Sequence, residues 1–426
     1  MDLIGPSTAE RGFRIRLALI VAAGAVWRLG YLFAVKIDDS LLLNDSIYYS
    51  IQAGRNSEGA WFREALSDLP GAEHGPLTSL WLTPWSLGAG NNVDRQRFAM
   101  SLLGIATVGV IGLVGARLAG RRVGLVAAGI AAAYPNLWIN DSLVMSETLA
   151  CLLVALALLV ALAFDASPSL SRAAVLGGLV GLGALTRSEI ALCAVGFAIL
   201  ASRRARHHRQ RALMPVLLLA TAGLVVAPWA LYNLARFERP TLLSTNDGST
   251  LLGANCDATY YDDIGGWTVF CLPFEDASTE PSERSAERRD MAFDYVSDHW
   301  PRVPIVVAAR VGRLLDVYGL ESLVRLDVGE EKAHWAVWAG IISWWLLAGL
   351  AILGWRAART PRDGPTHARS WLAVVPAAVL VTTVLFYGAH RIRAPAEPVV
   401  VVLAAVGFVA VSDRVRANRT KPVENA

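Results

Sequence analysis

Apolar runs long enough to cross a bilayer recur from one end of this chain to the other, and no other property limits its fold so tightly. A helix needs about 20 apolar residues to span roughly 30 Å of hydrocarbon. Runs near that length fall at 17–36, 98–118, 122–138, 143–164, 172–186, 188–202, 213–235, 335–356, 371–388 and 397–412. In lipid each backbone amide must find its partner within its own segment, so runs of this kind are helices. With 54% hydrophobic and 18% charged residues, the composition excludes an ordinary soluble domain. The expectation is an all-α polytopic membrane protein, one bundle over 1–426 with about ten transmembrane helices. The first run is long and has no small-residue cleavage site behind it, which reads as a retained span.

Arginines set the orientation, because short Lys/Arg-rich loops stay in the cytoplasm. RGFRIR (11–16), Arg117, Arg121, Arg122, RRARHHRQR (203–211), RAARTPRD (356–363) and DRVRANR (413–419) all land on one side of a ten-span bundle. Both termini are then cytoplasmic in a multi-pass plasma-membrane protein, and 37–97 and 236–334 form two extracytoplasmic loops. The net charge of +3 sits in those short basic loops, so it reports topology and gives no reason to expect nucleic acid. The stretch 303–319 is apolar but carries Arg310, Arg313 and Asp316, and reads as an amphipathic helix on the outer face. Cys256 and Cys271 share the second outer loop, where thiols oxidise, and a disulfide is expected between them. Cys151 and Cys193 lie in apolar helices and read as core. No CxxC or His-rich spacing marks a metal site.

Polar clusters gather at the outer helix ends. NDSIYYSIQA (44–53) places Asp45 near the start of an interfacial helix, with Tyr48 and Tyr49 at headgroup level. AEHGPL (72–77) supplies Glu73 and His74. NDSLVMSE (140–147) supplies Asp141, read as the cap of the fourth span, and Glu147, set into an apolar run. An ionisable group there faces a cavity or a partner such as Arg187 of LTRSE. HRIRAPAEP (390–398) puts Arg391 and Arg393 on the side where positive charge is unexpected, and the rigid guanidinium fork suits phosphate. Asn246 and Asp247 begin an Asn-Asp-Gly stretch, a turn signature whose side chains also suit hydroxyl groups. Carboxylates that can deprotonate a hydroxyl, beside cations that can stabilise a departing phosphate, carry the charge logic of an inverting sugar transfer.

These segments resemble the polytopic GT-C glycosyltransferases, the class of the protein O-mannosyltransferases and the lipid A aminoarabinose transferase, and most of all their actinobacterial members. The likeness runs over roughly 15–412. It rests on NDSIYYSIQA, AEHGPL, YPNLWINDSLVMSE, ALTRSE, PWALYNLARFERPTLLSTNDGSTLLGANCDATYY and HRIRAPAEP. It implies that Asp45 is the catalytic base and that Arg391 and Arg393 bind the donor phosphate. Tyr48, Tyr49, Glu73, His74, Asp141, Glu147, Arg187, Asn246 and Asp247 would line the cavity. The implied donor is a polyprenyl-phosphate-linked sugar, mannose or a pentose such as arabinose. The implied acceptor is a cell-envelope glycan, glycolipid or protein. Two positions depart from the pattern: Ser46 stands where eukaryotic O-mannosyltransferases carry glutamate, and Gly75 where relatives carry a proline. Oligosaccharyltransferase-like members of the class use a divalent metal and others do not, so the resemblance leaves the cofactor open. The alternative is a lipid-linked sugar flippase or transporter, which expects charged or broken helices at the bilayer midplane. Here the ionisable groups gather near one face, with only Arg28 and Glu147 set into apolar runs.

Overall fold

The computed structural model describes residues 8–42, 45–64, 67–88, 92–204, 208–274, 279–358 and 367–419. It is all-helical apart from one isolated antiparallel bridge, Arg63 to Pro70, among those residues. Among the described residues, seven helices are long and apolar enough to cross a membrane: Thr8–Lys36, Val93–Ala119, Glu147–Ala166, Ala212–Leu234, His334–Ala357, Ala368–Leu385 and His390–Asn418. The other three expected spans are shorter helices, Arg121–Ala133, Leu170–Ala184 and Leu192–Arg204. The 13 residues of Arg121–Ala133 reach about 20 Å at 1.5 Å per residue, so the expected count of ten is not met by length. The physical cause lies in the breaks. Pro135 follows an extended Tyr134 and ends the run 122–138 early, and an extended Arg187 with a 3₁₀ turn separates the two shorter helices at 170–204.

Successive helices run back and forth between two ends of the bundle. At one end Arg122 pairs with Asp413, which joins two of the basic segments, and Arg204 of a third pairs with Asp165 at 2.7 Å. Several helix pairs approach closely enough to need glycine. A Cβ on Gly177 would stand 2.1 Å from the Leu218 carbonyl oxygen, and one on Gly354 would stand 1.9 Å from that of Leu403. Small residues of this kind let backbones pack directly in a medium where apolar side chains gain little by leaving lipid. The helices Glu147–Ala166 and His390–Asn418 are the most enclosed, whereas Thr8–Lys36 and Ala212–Leu234 lie at the periphery. Val26, Leu224 and Leu231 on those outer helices are exposed, as a lipid-facing surface requires.

The opposite end carries the polar segments. Helices Asp45–Ser57 and Pro76–Ser86 come from 37–97, and Asp247–Ala254, Pro281–Asp298, Val303–Leu314 and Leu320–Gly329 come from 236–334. The two segments are joined where Thr245 N donates to Ala72 O at 2.8 Å and Ser244 Oγ donates to Glu73 O at 2.7 Å. Gly75 has a steric reason. Its Cβ would lie 2.4 Å from the Leu185 carbonyl oxygen. Cys256 and Cys271 are joined in a disulfide, and Cys151 and Cys193 are buried. The helix expected at 303–319 stops at Leu314 and turns its charged side inward. Arg310 donates to Ala254 O and Val384 O, and Arg313 donates to Gly388 O and Asp263, while Ile305 and Val317 are exposed. Burying a guanidinium is costly unless oxygens accept from it; Arg313 has a carboxylate and carbonyls, and Arg310 has carbonyls for both Nη atoms but no partner for Nε among the described residues.

Candidate active site

Asp45 is the first residue of the helix Asp45–Ser57, and the two residues before it lie outside the described chain. Its Oδ2 accepts from Arg391 Nη2 at 2.5 Å, and its Oδ1 lies 3.4 Å from His74 Nε2. Tyr49 stacks on His74 with centroids 5.2 Å apart, and Tyr48 meets the same ring edge-on at 5.0 Å. The two tyrosines therefore hold the imidazole with Nε2 toward the carboxylate. Burial works against ionisation of Asp45, but Arg391 and His74 outweigh it and hold the carboxyl well below the usual range. Burial also disfavours protonation of His74, yet Asp45 raises its pKa above 6.5.

Arg391 is the centre of the cluster. Beside Asp45 it donates to Glu330 Oε1 at 3.0 Å, and its Nε lies 3.3 Å from Glu147 Oε1. Glu147, the first residue of its membrane helix, is buried; its Oε1 also accepts from Arg187 at 2.8 Å. Oε2 of the same carboxylate has no hydrogen-bond partner among the described residues. Arg187 donates to Glu189 at 2.6 Å and to Ser146 Oγ at 3.2 Å. Lys332 donates to Glu330 at 3.1 Å and Asp327 at 2.8 Å, and Asp327 in turn meets His390 Nδ1 at 2.6 Å.

So Asp45, Tyr48, Tyr49, His74, Glu147, Arg187 and Arg391 come together. Glu73 stands beside them with an exposed side chain. Three expectations are corrected. Arg393 does not face Asp45: it is 2% exposed, sits over the Trp344 ring and pairs with Asp316 at 3.0 Å and Glu397 at 2.8 Å. Two carboxylates already neutralise it, so no charge remains to attract a phosphate. Asp141 neither caps the fourth span nor lines the cluster. It accepts from Arg28 Nε at 2.6 Å and Thr148 Oγ1 at 3.1 Å inside the bundle, in room left by Gly104. Asp247 pairs with Arg289 and accepts from Ser285 at 2.7 Å, tying two outer helices together, and Asn246 is the cap position of the first of them. Sequence reasoning missed Glu330, Lys332, Asp327 and His390. The signal was present, since VGEEKAH puts charged residues directly before a membrane helix, and His390 adjoins Arg391.

A metal ion fits poorly here. Among the described residues no group of three or more His, Cys, Asp or Glu side chains could hold one. The carboxylates that converge do so on a guanidinium.

The chain is a helical membrane bundle with an ionisable cluster at one end, under loops that supply a carboxylate, and its overall fold is GT-C-like. The family model for dolichyl-phosphate-mannose-protein mannosyltransferases matches residues 73–232, a stretch that includes His74, Glu147 and Arg187. The fold is similar to the archaeal oligosaccharyltransferase AglB from Archaeoglobus fulgidus, solved with an inhibitory peptide and a dolichol-phosphate. The TM-score is 0.58 at 14% identity, over 97% of this chain and 52% of that one. The apo form of the Archaeoglobus fulgidus enzyme gives 0.56 at 13% identity, over 96% and 51%. Its complex with Zn and sulfate gives 0.55 at 14%, over 94% and 49%. The chain thus spans about half the length of these structures. No curated protein sequence matches it. The family model thus covers the segment 73–232, and the structural likeness covers the fold of nearly the whole chain.

Proposed function

We propose that the chain is an inverting glycosyltransferase that moves a sugar from a polyprenyl-phosphate to an acceptor hydroxyl on the extracytoplasmic face. One observation carries the reading: the Asp45 carboxylate and the Arg391 guanidinium lie 2.5 Å apart at the loop-covered end of the bundle. Asp45 takes the proton of the acceptor hydroxyl. The hydroxyl oxygen forms its bond to the anomeric carbon as the bond from that carbon to the phosphate oxygen breaks. The electron pair leaves with the phosphate, whose charge Arg391 neutralises. While paired with Arg391, Asp45 is a weak base. A phosphate that shares the guanidinium loosens that pair and raises the basicity of Asp45 as the donor settles. Glu147 Oε2 is an acceptor for a sugar or acceptor hydroxyl.

The matched family model and a structural neighbour solved with a dolichol-phosphate support a lipid-linked donor. Mannose, or a pentose such as arabinose, is the proposed sugar, and a cell-envelope glycan, glycolipid or protein the acceptor. The basic end of the bundle, with both termini, is assigned to the cytoplasm of the plasma membrane by the positive-inside rule. The test is transfer of radiolabelled mannose and arabinose from their polyprenyl phosphates to a cell-envelope extract by the purified, reconstituted chain. Label should enter an acceptor with inverted anomeric configuration. Transfer with retention, or none from either donor, contradicts the reading.

A further inference from the structure

Three carboxylates from three separate elements surround one guanidinium. Asp45 comes from the first outer helix, Glu147 from the start of a membrane helix and Glu330 from the end of the helix Leu320–Gly329. Their oxygens lie 2.5, 3.3 and 3.0 Å from three different nitrogens of the same side chain. Hard divalent cations are commonly held by converging carboxylate oxygens. We infer that Arg391 is the resident cation of this site, occupying the position that these carboxylates would otherwise offer to a divalent metal, and that the chain binds no metal there.

The surroundings agree. Arg187 pairs with Glu147, and Lys332 pairs with Glu330, so two of the three carboxylates have a second fixed cation. A divalent ion entering beside Arg391 would therefore meet three immobile positive side chains. Arg391 cannot lose its proton to make room, because a guanidinium stays charged. Its side chain is 14% exposed and anchored on all three carboxylates, so swinging it out would leave Glu147 and Glu330 less compensated in a buried setting. The arrangement also gives the site a property a metal would not. The guanidinium has five donors in a fixed plane, two of which are hydrogen-bonded to Asp45 and Glu330. Further donors on the same plane remain for a ligand oxygen, which links the Asp45 carboxylate and an incoming anion through one rigid group.

The inference concerns the same site as the glycosyltransferase reading but rests on ion pairing alone, and its test needs no sugar. The full-length chain in detergent would be titrated with Mn2+ alone and followed by electron paramagnetic resonance. The wild type should show no bound Mn2+ that Asp45→Asn releases. Arg391→Ala should gain one Mn2+ per chain, with affinity at least about tenfold above the wild type, and the added Asp45→Asn change should remove it. Arg391→Gln, which keeps the shape of the side chain, should behave like Arg391→Ala and serves if the smaller residue does not fold. Arg391→Lys should stay free of Mn2+. An Asp45-dependent Mn2+ in the wild type would overturn the inference. So would folded, monodisperse Arg391→Ala and Arg391→Gln proteins that gain none. Because Mn2+ is the only ligand, a chain without transferase activity would leave the result readable.

Discussion

Arg391 and Arg393 are two positions apart, and that spacing decides their roles. Residues two apart on a helical turn point about 200° from each other, so only one can face Asp45. The sequence displays both as misplaced positive charges, and nothing in it says which one turns inward to Asp316 and Glu397. Arg391→Ala removes charge-assisted hydrogen bonds of about 1.5–3 kcal/mol, so donor affinity should fall roughly tenfold to a hundredfold. Binding of a polyprenyl-phosphate to detergent-purified variants measures this, and unchanged affinity would remove Arg391 from phosphate binding. Arg393→Lys, by contrast, should leave donor affinity within about twofold, because the side chain does not meet Asp45. His74 adds a pH dependence. Its folded pKa is raised above 6.5 by Asp45, so its stabilising contribution is complete below that value and is lost as pH rises through the raised one. Asp45 has the opposite sign: its contribution is present above 3.8 and disappears only as pH falls through its depressed folded pKa. The melting temperature of the wild type should therefore fall as pH rises above 6.5 and through the raised His74 pKa, and His74→Gln should flatten that fall. An equal slope in both proteins would contradict the pairing.

At the level of elements, one corner places the site. Glu330, Glu331 and Lys332 are consecutive, and each holds a different part. Glu330 takes Arg391. Lys332 bridges Glu330 and Asp327. Glu331 accepts from Leu42 N at 3.1 Å, Ser46 Oγ at 2.5 Å and Arg97 Nη2 at 3.1 Å, which pins the start of the helix that bears Asp45. Ser46, the residue after Asp45, thus has a place of its own in this brace. Glu331→Ala removes the nearest carboxylate of the buried Arg97, leaving it the Lys36 and Asp39 carbonyls and Asp94 at 3.9 Å, and should cost about 3 kcal/mol of stability, read from thermal or denaturant unfolding. A loss below about 1 kcal/mol would show that the brace is not what fixes the helix. The helices themselves were legible, because hydrocarbon leaves a long apolar run no alternative to helix. Their ends were less so. Pro135 and the extended Arg187 shorten three of them, and apolarity does not report where a backbone turns. The inward charged side of Val303–Leu314 was also hidden, since the carbonyls that satisfy Arg310 come from residues 254 and 384. Such long-range partners carry no local signal.

For the whole molecule, the polar loop segments, the basic far end and the cluster at Arg391 form a single polarity along the bundle axis. All four cysteines are unreactive by position: two are buried and two are joined. A cysteine placed at Glu280 should therefore be the only one labelled by a membrane-impermeant maleimide applied from outside, without removal of the native ones. Labelling only after the cytoplasmic face is opened would invert the assignment. The central claim is that Asp45 removes the acceptor proton while Arg391 holds the donor phosphate. It is tested most directly by pairing a transfer assay with a donor-binding measurement on Asp45→Asn. The account predicts that Asp45→Asn keeps donor affinity within about threefold and loses transfer by at least about a hundredfold, the range expected of a general base. Transfer that survives in Asp45→Asn at near wild-type rate would contradict it.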